Sequence, residues 1–314
     1  MQDVKLSNLE LFYDIIVESN EILFEEFHKP YFDLLEMTIN NMLEEKVLQD
    51  VEEETEEKLT NCYHKLEGID FTSEDIRKAM QSVILLGFKE IGIPNGYTTP
   101  DTLGIFIAYL ISKMINKKVI NILDPMCGTG NLLFTISNYL DKDMNLFAVD
   151  KDEEMVRLTK LTADILSRQT EIYLEDMFSY DQIGNDVVVL DMPHETNKDN
   201  EYFPYKVMTH LKDLVNKDGA LIAILENDFF NYDQNQEFKN ELLKDMSIVG
   251  LVELPDEMFK TGKPKIILVL QKCKIDNPCF MVKLPNFTDA NAFGNVLRQI
   301  EMWFEKNKKE DKNN

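Results

Sequence analysis

The chain has 314 residues, more than one hydrophobic core usually spans, so a main domain with an appendage is expected. A formal net charge of −24 and a pI near 4.5 describe a surface that repels polyanions, which disfavours DNA as a direct partner. Four cysteines (Cys62, Cys127, Cys273, Cys279) show neither metal-ligand spacing nor a disulfide framework, and no leader or apolar run of transmembrane length is visible, so a cytoplasmic protein that touches no membrane is expected.

Residues 1–85 read as helices. Leu9, Phe12, Tyr13, Ile16 and Val17 share one face; Ile22, Leu23, Phe27 and Phe32, then Leu34, Leu35, Ile39, Met42 and Leu43, continue at helical spacing. Residues 46–58 form an acidic run, a solvated helix face or a linker. Residues 1–80 carry −14 of the total charge. Three roles are open to this region: covering the main core, forming a homodimer surface, or binding a partner protein. The run DFTSEDIR from Asp70 starts a helix capped by Thr72 or Ser73, with acids in the first turn. His28 and His64 stand alone and read as surface or packing residues.

Around residue 95 the run Pro94-Asn95-Gly96 predicts a loop. Thr99 then caps a helix that opens at Pro100. Residues 119–150 organise everything else: strand, glycine turn, helix, strand. An apolar β-branched run ends in Asp124-Pro125-Met126-Cys127-Gly128-Thr129-Gly130. Leu132, Leu133, Ile136, Tyr139 and Leu140 follow at helical spacing, and a second strand ends in Asp150. Gly128 and Gly130 permit a tight turn and close approach of a ligand to the backbone. The next helix offers free N–H groups, and an acid at the second strand end suits ribose hydroxyls. The spacing is not G-x-G-x-x-G, which counts against a dinucleotide. Asp124 would repel a pyrophosphate but suits a cationic amino-acid moiety. The pattern alone does not choose among NAD, FAD and S-adenosylmethionine (SAM).

Beyond Asp150 the sequence predicts a helix over 153–167 and a strand over 170–174, ending in Glu175-Asp176-Met177-Phe178. Residues 186–190 are apolar throughout, as a central parallel strand should be, and run into Asp191-Met192-Pro193-His194. In the polar stretch 196–205, Tyr202, Phe203 and Tyr205 either wall a site or anchor the loop. A helix (205–215), a turn (216–219), a strand (220–225), a helix (238–246) and strands over 248–254 and 265–270 follow. Lys260, Lys263 and Lys265 form a local basic cluster that would meet a phosphate or merely solubilise the loop. A further strand (279–284), a helix (291–304) and a frayed tail from residue 305 complete the chain.

The segment DPMCGTGNLL from Asp124 resembles the SAM-binding motif of class I methyltransferases, in the form found in the adenine-N6 DNA methylase superfamily, especially modification subunits of type I restriction systems. Thr98-Thr99-Pro100 is similar to the threonine-proline segment those enzymes place before the motif, and VGLVELPDEMFKTGKPKIILVLQK from Val249 is similar to their closing strands. The resemblance covers roughly residues 90–272. It implies SAM as cofactor, with Thr98 or Thr99 and the 124–130 turn at its amino-acid end, Asp150 with Lys151 at the ribose, and Asp176 at the adenine amine, covered by Met177 or Phe178. It implies that Asp191 to His194 is the catalytic loop, (D/N)PP(Y/F) in the family, with Asp191 between cofactor and acceptor. Met192 replaces the first proline and His194 the aromatic residue. The expected function is methyl transfer to an amine held by this loop. The alternatives are a SAM-binding protein that works through its acidic helices without transfer, and a DNA adenine methyltransferase that borrows a recognition subunit, since no target-recognition domain fits in the chain. The expected fold is α/β: a Rossmann-like, seven-stranded, mostly parallel sheet (86–275) after the helical region (1–85), with an extension over 276–314.

Overall fold

The computed structural model describes residues 7–93, 98–193, 202–259 and 263–310. His194 and the residues to 201, Lys260 with its two followers, and the loop predicted at Pro94-Asn95-Gly96 lie outside the described residues.

Four helices open the fold: α1 (Asn8–Phe27), α2 (Tyr31–Leu43), α3 (Glu53–His64) and α4 (Ser73–Glu90). Helix α1 starts at a Ser7–Glu10 capping box, and His28 closes it in the left-handed region, with a ring nitrogen against the Phe24 carbonyl. Of the two candidate caps of α4, Thr72 is the one used, paired reciprocally with Asp75. The acidic run resolves into a connection followed by α3, which buries only Leu59 and Cys62. An expected division at residue 85 falls inside α4, which continues to Glu90.

Helix α5 (Asp101–Met114) leads into a single sheet: β1 (Val119–Asp124), β2 (Asp143–Asp150), β3 (Thr170–Leu174), β4 (Asn185–Asp191), β5 (Val215–Glu226), β6 (Ser247–Glu253), β7 (Lys265–Gln271) and β8 (Phe280–Lys283). Among the described residues the sheet has eight strands rather than seven, in the order β3-β2-β1-β4-β5-β7-β6-β8. The extra member is the short strand near residue 280, which pairs parallel to β6 through Gly250↔Phe280 and thereby joins the main sheet. Strand β7 runs antiparallel to both β5 and β6; the pairs among β1 to β5 are parallel. The turn predicted at 216–219 is a bulge inside β5, where Asn185 pairs with Val215 and Val187 already with Ala220.

Helices α6 (Asn131–Tyr139), α7 (Glu153–Ile165), α8 (Phe203–Leu214), α9 (Asn235–Leu242) and α10 (Ala290–Glu310) cover the sheet. Alternate residues of the central strands go to opposite faces. Ile122, Val187, Val189 and Ile222 join α5, α6 and α10 in one core; Leu123, Val188, Leu190 and Leu221 join α8 and α9 in the other. A third core joins Phe12, Ile16, Phe32, Met80 and Val83 of the first helices to Leu158 and Leu161 of α7. Of the three roles open to the N-terminal region, covering the main domain is therefore the one this packing fills. Helix α10 runs on to Glu310, past the tail expected to fray at residue 305. No helix among the described residues is long and apolar enough to cross a membrane.

Candidate functional site

The strand order reverses between β1 and β4, and there an open α/β sheet leaves a crevice at its carboxyl ends. Three carboxylates close the strands around it: Asp124 on β1, Asp150 on β2 and Asp191 on β4.

Asp124 is 1% exposed and accepts the Met126 N–H at 3.2 Å, its one hydrogen bond among the described residues. Burial, opposed by that hydrogen bond and reinforced by the charges of Asp150 and Asp191, pushes its carboxyl up to about 8. The glycine turn then folds back on Asp150. Gly128, at φ 54°, donates its N–H to Asp150 Oδ2 at 2.9 Å, while Oδ1 accepts the Asp152 N–H at 3.0 Å. Each oxygen keeps one further lone pair for a ligand hydroxyl. Asp152 spends its own carboxylate capping α7 through the N–H groups of Glu154 and Met155, which separates the roles of these neighbouring acids. Gly130 sits at φ 76°, where an added Cβ would lie 2.5 Å from the Phe134 ring. Pro125 and Thr129 are buried in the turn and Met126 packs partly on the core. Cys127 turns its thiol into the core and its N–H to the Val149 carbonyl at 3.0 Å, so within the motif it is a packing residue. Lys151 is exposed beside Asp150.

The threonines enter from the start of α5. Thr99 does not cap that helix; Pro100 is its N-cap residue, with no side-chain cap. Instead, Thr99 Oγ1 donates to Asp191 Oδ2 at 3.0 Å, because the segment crosses the end of β4. Thr98 Oγ1 is buried without a hydrogen-bond partner among the described residues. Three converging carboxylates, with the Thr99 hydroxyl on one of them and the start of α6 held to the Thr99 carbonyl, fit a ligand that carries a cationic amino-acid group.

Asp176 is exposed and accepts the Phe178 N–H at 2.9 Å. Met177 is in the second core, 5% exposed. Phe178 stays half-buried, edge-on to Phe203, with the Lys206 ammonium 5.1 Å from its ring. Of the two candidate covering residues, Phe178 is the one that is not fully buried in the core. Tyr202 stacks on Tyr232 at 3.6 Å and Tyr205 on Phe238 at 4.3 Å, so both anchor the loop in the core rather than wall a site.

At the acceptor side, Met192 is buried and donates its N–H to the Ile224 carbonyl at 2.9 Å, while Pro193 is exposed. The Lys265 ammonium lies 2.6 Å from Asp191 Oδ1. Lys263 reaches Glu226 and Asp228, each at 2.9 Å. The expected basic cluster is thus corrected: both described lysines are spent on carboxylates at the strand ends.

The sequence reading missed the residue that ties this together. Arg77 of α4 is 1% exposed. It donates to both Glu74 oxygens, to both Asp101 oxygens and, at 2.6 Å, to Asn131 Oδ1. Asn131, the first residue of α6, in turn donates to the Thr99 carbonyl at 2.8 Å. One guanidinium therefore joins the N-terminal helices, the threonine segment and the helix after the glycine turn. The available signal was a charged residue in register with Met80, Ile84 and Phe88 on the apolar stripe of α4.

Comparison with known proteins bears on the family and the fold. The family model for N-6 DNA Methylase matches residues 95–312, and one for the YtxK N-terminal helical domain matches residues 10–88. The uncharacterized protein YtxK of Bacillus subtilis is 29% identical over 279 residues, 80% of this chain and 83% of that one. A crystal structure from Listeria monocytogenes, described as a class I S-adenosylmethionine-dependent methyltransferase, superposes with a TM-score of 0.83 at 28% identity, over 95% of this chain and 99% of that one. The methyltransferase subunit of a type I restriction-modification system from Streptococcus thermophilus shares the fold, with a TM-score of 0.62 at 15% identity over 94% and 74% of the two chains.

Proposed function

This chain belongs to the N-6 DNA methylase family, with SAM as its cofactor, and on that premise we propose that it transfers a methyl group to an amine nitrogen seated at Asp191, in the loop Asp191-Met192-Pro193-His194. The observation that carries the reading is the carboxylate crevice itself: Asp124, Asp150 and Asp191 converge at the switch point around a glycine turn, and the Thr99 hydroxyl meets Asp191 there.

SAM would supply a methyl group activated on a sulfonium. Asp150 would take the ribose hydroxyls, Thr98 and Asp124 the cationic amino-acid end, and Asp176 the adenine amine under Phe178. Asp124 is suited to its part because a buried acid pushed upward by two like neighbours gains most from an incoming positive charge. Thr99 holds one oxygen of Asp191, so the carboxylate cannot turn away from the crevice. Its remaining lone pairs accept from the acceptor nitrogen and orient it; no strong general base is then needed, because orientation provides most of the acceleration.

The test is calorimetric titration with SAM of the wild type and of Asp150→Ala. Binding that the substitution abolishes supports the reading. No binding by the wild type at millimolar SAM sinks it.

A further inference from the structure

We propose that a cavity among α1, α2 and α4, lined by none of the crevice residues, is a binding site for a small amphipathic cation: an ammonium joined by a short apolar stem to an amide or other carbonyl oxygen. The proposal is independent of the readings of Asp191 and of SAM.

The cavity has a volume of about 360 Å³, within the range of small-molecule sites. At its buried end is Asn20, 4% exposed. A chain of hydrogen bonds through the helices fixes how that amide points. The Leu48 N–H donates to Asn41 Oδ1 at 3.0 Å, so the Asn41 amide nitrogen donates to the Tyr63 hydroxyl at 3.1 Å. Tyr63 then gives its own hydrogen to Ser19 at 2.7 Å, Ser19 to Thr38 at 2.8 Å, and Thr38 to Asn20 Oδ1 at 2.7 Å. With its oxygen spent, Asn20 presents its amide nitrogen to the cavity, and that nitrogen is buried without a hydrogen-bond partner among the described residues. The Tyr31 hydroxyl, also on the lining, donates to the Val83 carbonyl at 2.9 Å and is not placed to accept from it. An unmet buried donor is costly, and an acceptor oxygen on a ligand removes the cost.

The rest of the lining sets the other parts of the ligand. Val17, Leu34 and Leu86 supply apolar walls. Phe24, 52% exposed, lines the open side between Glu21 and Glu25 of the same helix, and Glu90 joins them from α4. These three glutamates make no ion pair among the described residues. Lys29, the one cation on the lining, has its ammonium 5.8 Å from the Phe27 ring. Three carboxylates against one ammonium favour a cation, and the half-exposed Phe24 ring adds a π face for it. Donor at the buried end, apolar walls and an acidic mouth thus ask for oxygen, stem and ammonium in that order.

The test is calorimetric titration of the full chain with N-acetylputrescine, which carries an acetamide oxygen, a methylene stem and an ammonium. N-butylacetamide has the oxygen without the charge; pentylammonium has the charge without the oxygen. N-acetylputrescine is expected to bind about tenfold tighter than either. Asn20→Leu should weaken it about tenfold, the worth of one hydrogen bond to a buried donor, and leave pentylammonium within about twofold. Glu21→Gln combined with Glu90→Gln should cost N-acetylputrescine about threefold at low salt, because the mouth is exposed, and spare N-butylacetamide. No binding at millimolar N-acetylputrescine overturns the proposal. So does binding no tighter than that of the two fragments, or binding that Asn20→Leu leaves unchanged. If Asn20→Leu does not fold, because Thr38 loses its acceptor, the paired glutamine variant decides: an unchanged affinity for N-acetylputrescine, or an equal loss for N-butylacetamide, overturns the proposal.

Discussion

Replacing Arg77 by methionine tests the architecture at its most loaded point. The side chain keeps a similar volume and loses its charge. Five hydrogen bonds to three partners disappear, and two carboxylates, Glu74 and Asp101, lose the cation between them. Burial raises the Glu74 carboxyl, but hydrogen bonds from Arg77 and Asn138 outweigh it and hold the group below its ordinary value. Removing one member of a buried ion pair costs about 3–5 kcal/mol, because its partner stays desolvated. A typical total stability is about 5–15 kcal/mol. Urea denaturation should therefore show a much lower midpoint with an unchanged slope. Adding Glu74→Leu should recover part of the loss, since it removes one stranded carboxylate. A carboxyl held below its ordinary value contributes stability above the unfolded pKa and loses it as pH falls through the folded one, so Arg77→Met should also flatten the acid limb of the stability profile. A change below about 1 kcal/mol in Arg77→Met would refute the claim that this network fastens the helical region to the site.

Three further substitutions probe the crevice. Asp124, raised to about 8, contributes stability fully below the ordinary carboxylate value of about 4, and that contribution is lost as pH rises through 8. Asp124→Asn should remove the slope, and SAM binding to the wild type at pH 7 should release close to one proton, read from titrations in buffers of different ionisation enthalpy. Thr98→Val replaces a buried orphan hydroxyl by an isosteric methyl; it should stabilise the ligand-free protein by about 1 kcal/mol and weaken SAM binding, and a lower melting temperature would contradict the assignment. Gly130→Ala forces a Cβ to 2.5 Å from Phe134 at φ 76°, so a loss of about 1–3 kcal/mol is expected in the same denaturation assay.

What the sequence discloses is local. The order strand, glycine turn, helix, strand, acid follows from period and turn chemistry within 32 residues, and β1, α6 and β2 lie where the pattern puts them. Thr72 before its helix, and the acids that close β1, β2 and β4, were likewise readable from neighbours in the chain. What escaped is long-range. Thr99 has every local feature of a helix cap, yet its hydroxyl goes to a residue 92 positions away. Lys265 reads as one of three loop lysines until a partner 74 positions away is known. The eighth strand is four residues long and buries only Phe280, so no periodicity marked it as part of the main sheet; its place depends on Gly250, whose missing side chain admits the Phe280 ring. Pattern fixes which face a residue takes, and partner choice is a property of the assembled sheet.

The acidic helices carry −14 of the net charge, and two arginines fasten them where it matters. Arg77 reaches outward from α4 into the start of α5 and α6, while Arg157 of α7 reaches back to Asp33 and Glu36 of α2, at 2.7 and 3.2 Å. Between these clamps, Leu158 and Leu161 continue the apolar contact. The helices on the N-terminal side thus buttress the two helices that follow β1 and β2, the same two strands that carry Asp124 and Asp150. Any partner that pulled α4 away would disturb Asn131 and the Thr99 carbonyl before it disturbed the sheet. Stability of the helical region and affinity of the crevice should therefore fall together in variants of Arg77, and separately in variants of Arg157, whose contacts touch neither threonine.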